Sequence, residues 1–186
     1  MRIVQLFVIV IVFSVSVFSQ STQSLRWKLW PVGQRISFSI RNLGMEVRGS
    51  FGDLQGVFEF TPEQVGRSSI RASVSVASVQ TGISIRDNHL QEEDYFFASE
   101  HPRIFLYSDE IRAELKVYRF RGRIMIRGRT GIVDFPFDFE REGSRGRVKS
   151  TFQIKRSDFG VGSSGFLSPL SDLVTVMVDL SLELLD

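Results

Sequence analysis

The chain has 186 residues, 23 Lys and Arg against 21 Asp and Glu, a formal net charge of +2 and no cysteine. Disulfides, thiolate metal sites, iron–sulfur clusters and cysteine nucleophiles are therefore excluded. A charge so nearly balanced also argues against a dedicated nucleic-acid binder, whose affinity rests on a basic surface.

The first stretch, "MRIVQLFVIVIVFSVSVFSQ", starts with Arg2, runs apolar from Ile3 to Phe13 and leaves through Val17 and Ser19. A charged start, a short apolar run and a small-residue exit predict a secretory signal peptide over residues 1–19, cut before Gln20. The run is shorter than the roughly 20 residues that span a bilayer, and no cysteine follows it to carry a lipid anchor. Residues 20–186 are then expected to form one exported domain.

Beyond the leader the pattern is period-two alternation, the signature of half-buried strands. Ile36, Phe38 and Ile40 alternate with Ser37 and Ser39, and a strand segment is expected over Met45 to Phe60. Ile70, Ala72, Val74 and Val76 alternate with Arg71, Ser73 and Ser75. "DNHLQEEDYFFA" breaks the pattern: Leu90, Asp94 and Phe97 fall at helical offsets, which predicts a short helix with Asp87 or Asn88 as its N-cap. Strands resume over Ile104 to Val117 and Tyr118 to Ile126. Arg119, Arg121, Arg123, Arg127 and Arg129 share odd parity, so they are expected on one strand face with Phe120, Ile124 and Ile126 on the other. The ordinary reading is a solvated face; the sharper one is a surface for an anionic membrane or a phosphate-bearing partner. Val133, Phe135, Phe137 and Phe139 alternate with acidic residues, a strand follows over Val148 to Ile154, and Val174, Val176, Val178, Leu180, Leu182 and Leu184 line the last one. About eight such strands predict an all-β protein, an antiparallel sandwich or barrel, and the length of several favours a closed barrel with a short helical insertion.

Few motifs look like chemistry. "SDFG", Ser157 to Gly160, contains a kinase triplet, but the glycine-rich loop, strand lysine and catalytic loop are missing, and a strand-to-loop turn is the better reading. His89 and His101 lie twelve positions apart with no strong third ligand, so no metal site is expected. Arg86, Asp87 and His89 form a dense cluster with three readings. It is a hydrogen-bonded corner in which Asp87 caps the helix, a polar group at the mouth of a ligand cavity, or an Asp–His pair for acid/base work that lacks a serine nucleophile.

The ordered set Asn42-Leu43-Gly44, the turns at Gly49 to Phe51 and Gly56, Thr81-Gly82, Arg86-Asp87-x-His89-Leu90, Asp94 with Phe96-Phe97, Pro102 and Arg156-x-Asp158-Phe159-Gly160 resembles the YceI-like family of exported lipocalin-like proteins. The resemblance covers about Trp27 to Leu182. It implies an eight-stranded antiparallel barrel, a periplasmic location in Gram-negative bacteria, and binding of a long polyisoprenoid or similar amphiphile inside the barrel, with no family-wide catalytic activity. Asp87, Leu90, Phe96, Phe97, Asp158, Phe159 and Gly160 are the matching motif positions, read as structural. The chain departs from the family at "SPLSDLVTV", Ser168 to Val176, where a Gly-x-Gly-x-x-Val lead-in to the last strand is usual.

The function expected is a non-catalytic protein that sequesters or carries such a lipid, with no cofactor. Phe38, Ile40, Val74, Val76, Phe135, Phe137, Val176 and Val178 are expected to line the cavity, and Arg86 and His89 to face a polar head group. The partner is an isoprenoid or other long-chain lipid; transient contact with a membrane surface and a homodimer stay open. Two other readings are an enzyme working on an amphiphile through His89 and Asp87, and a structural or stress-related interaction module whose barrel is filled by its own Phe side chains.

Overall fold

A computed structural model describes residues 24–162 and 169–185, so the expected leader and Ser168 lie outside the described residues. The strands are β1 (Arg26–Leu29), β2 (Arg35–Asn42), β3 (Met45–Phe51), β4 (Gln55–Glu59), β5 (Ser69–Ser75), β6 (Arg103–Glu114), β7 (Val117–Ile126), β8 (Arg129–Glu142), β9 (Arg145–Lys155) and β10 (Leu170–Leu184). One helix, α1 (Ser84–Gln91), lies between β5 and β6.

All pairings are antiparallel, and the ladder β1–β4–β5–β6–β7–β8–β9–β10 returns from β10 to β1. The result is the eight-stranded barrel that the alternation favours. β1 and β2 occupy successive stretches of one edge of β10, with Leu29 opposite Leu182 and Ile36 opposite Val178. β3 pairs with β2, and β4 pairs with β1, so the strand segment over Met45 to Phe60 is two strands. The interruption between them is Gly52 to Leu54, where Asp53 has a φ of 44°. Val76 likewise falls outside the strand assigned to it. It is buried in a 3₁₀ turn, Val76–Ser78, that follows β5.

The arginine run divides for a local reason. Leu43 and Gly44, and again Arg127 and Gly128, both have positive φ, the combination that two-residue hairpin turns require. Ile126 pairs with Arg129, so Arg127 sits in a turn and Arg129 starts the next strand, which corrects the expectation of five arginines on one strand face. Arg119 bonds Asp134 and lies 3.5 Å from Glu114, while Arg123 reaches Asp109 at 2.9 Å. These cross-strand ion pairs belong to a solvated outer face.

The barrel has two unlike ends. At the end holding β1 and the β6–β7 and β8–β9 hairpins, Trp27 is 2% exposed and its indole N–H donates to the Phe60 carbonyl at 2.8 Å. Phe60 packs edge-on against Tyr118, Phe137 and Phe139, with centroids 4.9, 5.6 and 4.8 Å away. Leu180 and Leu182 complete this closed end. Toward the other end the β8–β9 ladder stops at Asp138 and Lys149. Pro136 explains the stop. Its carbonyl faces β9, accepting from Ser150 Oγ at 2.7 Å, so its missing N–H lies on that same edge.

Two measurements check this account. Phe60→Ala removes the hub of the aromatic plug and is expected to cost about 3–5 kcal/mol in denaturant unfolding. On the outer face, hydrogen bonding from Arg147 holds the Asp179 carboxyl below its usual range, against the opposing effect of burial. A lowered folded-state pKa contributes stability that is present above the unfolded carboxylate value and lost as pH falls through the folded one. The stability gap between wild type and Arg147→Gln is therefore expected at neutral pH and should close in acid, as read by urea midpoints across a pH series.

Candidate functional site

The open half of the barrel is not filled. It holds a cavity of about 220 Å³. Phe38 and Ile40 of β2, Val174 and Val176 of β10, Ile124 of β7 and Ile154 of β9 are among its wall residues. The cavity exists because the wall is incomplete there. β5 ends at Ser75, β6 begins at Arg103, and among the described residues the outer edge of β3 meets only a bridge between Ser50 and Gln80. The connection carrying α1 covers the gap.

A polar knot at Thr81 fixes this cover. Asp87 Oδ1 accepts from the Thr81 backbone N–H at 2.8 Å and from the Thr81 hydroxyl. Arg86 Nε donates to the Thr81 hydroxyl oxygen at 2.7 Å, and Arg86 Nη2 donates to the Thr81 carbonyl at 2.9 Å. The expected N-cap is thus corrected: α1 starts at Ser84 after an extended Ile83, and Asp87 lies in the first turn, reaching back to Thr81. A carboxylate in a first turn still meets the positive end of the helix dipole. The helix also stops at Gln91, earlier than the "DNHLQEEDYFFA" pattern predicts. Glu92 is extended and Phe97 has a φ of 55°, so turns run on from there. Consecutive acids Glu92, Glu93 and Asp94 are poorly placed at the negative end of a helix.

Helix spacing then sorts the cluster. Arg86, His89 and Leu90 sit at offsets of three and four, share a face and line the cavity. Asp87 and His89 are two apart and do not face each other, so no Asp–His dyad forms. His89 is exposed at the rim, its ring edge-on to Tyr95 with centroids 4.9 Å apart. Phe96 leads from the cover into the wall, packing on Phe51 at 5.6 Å, and Phe51 packs on Phe38 at 5.5 Å. Phe97 turns the other way, toward His101.

The opposite side of the mouth is built by the 3₁₀ turn Arg156–Phe159, which Gly160 ends in the left-handed region at a φ of 66°. "SDFG" is therefore a turn, as expected. Asp158 is exposed on it. Phe159 is buried, with its ring lying where a side chain on Gly131 would have to go. Gly160 offers its carbonyl to Arg127. Arg156 is 6% exposed and lines the cavity, donating to the carbonyls of Ser171, Val161 and Leu170 at 2.9, 2.9 and 3.0 Å. Asp172 accepts from Ser157 N and Oγ at 3.0 and 2.8 Å. Burial pushes its carboxyl up, but these bonds and the nearby Arg156 and Lys155 outweigh it and hold the carboxyl below its usual range. Within residues 169–176 the β10–β2 pairing shifts register between Leu170 and Val174.

Of the side chains expected around a ligand, Phe38, Ile40, Val74, Arg86, His89 and Val176 border the cavity. Val76, Phe135, Phe137 and Val178 do not. Phe135 and Phe137 point inward but are buried deeper in the barrel, where the core is packed. Leu90, Phe96 and Phe159, read from motifs as structural, do border it, and Arg156 was missed. Its parity was the available signal: it continues the inward series of Phe152 and Ile154. Among the described residues no group of three or more His, Cys, Asp or Glu is placed to hold a metal ion.

A family model described as the YceI-like domain matches residues 27–182. A UPF0312 protein of Photorhabdus laumondii is 26% identical over 171 residues, covering 87% of this chain and 88% of its own. A UPF0312 protein of Pectobacterium carotovorum is 27% identical over 150 residues, covering 77% of each chain. Among solved structures, Burkholderia cenocepacia BcnA superposes with a TM-score of 0.78 at 22% identity, over 83% of this chain and 99% of its own. A polyisoprenoid binding domain from Saccharophagus degradans superposes with a TM-score of 0.64 at 13% identity, over 88% of this chain and all of its own.

Thr81→Val keeps the shape of the side chain and removes the hydroxyl shared by Arg86 and Asp87. It is expected to cost about 1–2 kcal/mol and to raise amide exchange across α1 more than in β6 to β9, as measured by hydrogen exchange.

Proposed function

Because the chain belongs to the YceI-like domain family, we propose that it is a lipid-binding barrel that takes the apolar part of a polyisoprenoid or similar amphiphile into its open half. The observation that carries this is the cavity itself. It is walled by aliphatic and aromatic side chains and bordered on its covered side by Arg86 and His89, with Arg156 beside the second arm of the mouth. That is the layout an amphiphile needs: apolar burial for the chain, and donors where the chain ends in a polar group. Each buried methylene contributes roughly 0.8 kcal/mol, so a short length of chain gives useful affinity. The Saccharophagus degradans domain, described as polyisoprenoid-binding, has the same fold and supports this ligand class.

The role proposed is carriage or sequestration, not catalysis. Asp87 is engaged by Thr81 and turned away from His89, which leaves the acid/base reading of the cluster without its pair. The N-terminal sequence supports action after export, in the periplasm.

Native mass spectrometry of protein purified without detergent, followed by organic extraction, tests the reading. The expected result is a bound mass that extracts as an isoprenoid, quinone or fatty-chain compound. Protein that is empty and takes up neither added prenols nor fatty acids would overturn it. Val176→Trp places an indole in the cavity and is expected to abolish uptake with the thermal melting point kept or raised.

A further inference from the structure

The cavity stops partway down the barrel, and the layer directly beneath its lowest wall residues, Ile124, Ile154 and Val176, is specific. Phe120, Phe135 and Phe152 form a stack of three nearly parallel rings across β7, β8 and β9. Centroids are 4.7 Å apart for Phe120–Phe135 and 4.0 Å apart for Phe135–Phe152, with interplanar angles of 11° and 6°. Phe152 is directly opposite Val176, the cavity residue of β10 nearest the closed end. Phe120 comes up from the other side. Its ring lies over Gly122, where a side chain would come within 2.8 Å of it, and Gly122 is the inward position next to the wall residue Ile124. Beyond the rings lies the packed core of Phe60, Phe137, Leu180 and Leu182. The stack also bridges the stretch where Pro136 has ended the β8–β9 ladder, so ring packing holds the two strands together there.

We infer that the Phe120–Phe135–Phe152 stack is a chain-length gauge: it sets how much of an amphiphile's tail the barrel can bury. The inference rests on the lipid-binding reading above and refines its ligand class. The cavity measures about 220 Å³. An apolar cavity of about 150 Å³ accepts benzene, six carbons, so by proportion this one takes roughly nine carbons. That is about two isoprene units or a medium-length acyl chain. A longer tail buries its first stretch and leaves the remainder at the mouth. Phe135, which its alternation places on the ligand's wall, instead sits at the centre of this floor layer, beneath the residues that border the cavity.

The test is a titration of the full-length protein, stripped of bound lipid, with straight-chain fatty acids of six to sixteen carbons. Wild type is expected to tighten roughly fourfold for each added methylene up to about nine or ten carbons, then stay level. Phe152→Leu and Phe152→Ala lower the floor and should move the break to longer chains. Ile154→Phe raises the floor and should move it to shorter ones. Because Phe152 is only half-buried and Ile154→Phe fills existing space, at least one of the three variants can be compared at wild-type melting temperature. A steady gain through sixteen carbons in wild type, or a break that no folded variant moves, overturns the gauge and leaves lipid binding standing. No binding at any length overturns the lipid-binding reading and the gauge with it.

Discussion

The structure depends on closure along β10. This strand, Leu170 to Leu184, pairs with β9 on one edge from Leu173 to Glu183, and on the other with β2 as far as Asp179 and then with β1 from Leu182 to Leu184. Closing a sheet on itself removes the unpaired edges that an open sheet would expose. Here the closure is uneven in its consequences. Where β1 meets β10, Trp27 is drawn to the axis and anchored by the Phe60 carbonyl, and four aromatic rings fill the space around it. Where β2 meets β10, the inward side chains are Ile36, Phe38, Ile40, Val174 and Val176, and among the described residues the neighbouring β3 has no second strand beside it. One end becomes core and the other becomes a cavity.

The missing strand next to β3 is what makes room for polar groups at an apolar site. A connection from Val76 to Pro102 spans the gap; its helix and turns satisfy much of its own backbone, and side chains tie it down at one point. Thr81 is the junction: its N–H, hydroxyl and carbonyl are all engaged by Asp87 and Arg86. Across the mouth Arg156 does the same for three carbonyls at the start of β10 and after the 3₁₀ turn. In both places an arginine beside the cavity is held in position by main-chain groups. Asp87 belongs to the corner, while Arg86 is bonded into that corner and presents its remaining guanidinium surface to the cavity, with His89 at the rim.

The reach of the sequence can be followed residue by residue. Ile36, Phe38 and Ile40 alternate, and they face inward together; the same holds for the alternating run from Val174 to Leu184. Alternation works because strand side chains point to opposite faces with period two. It fails at breaks that depend on backbone conformation. Leu43 and Arg127 adopt positive φ in two-residue turns, a conformation neither residue type favours, because the hairpin on each side demands it. The helix boundary was misplaced for a similar reason. Asp87 has the chemistry of a cap, but its nearest donors are at Thr81, on a chain segment held by the Ser50–Gln80 bridge.

What the sequence by itself determined is the fold class, the inward face of β2, β7, β8 and β10 and the family to which the chain belongs, since these follow from local alternation and from motif order. Only the tertiary structure decided which inward residues are core and which border a cavity. Phe135 and Phe38 are indistinguishable in pattern, each the aromatic centre of an alternating strand. Phe135 is stacked between rings from two neighbouring strands, and Phe38 stands where the wall gives way to a helix. Alternation specifies which side of the sheet a residue faces, but not its height along the barrel axis or what lies across from it, and those depend on how ten strands come into register.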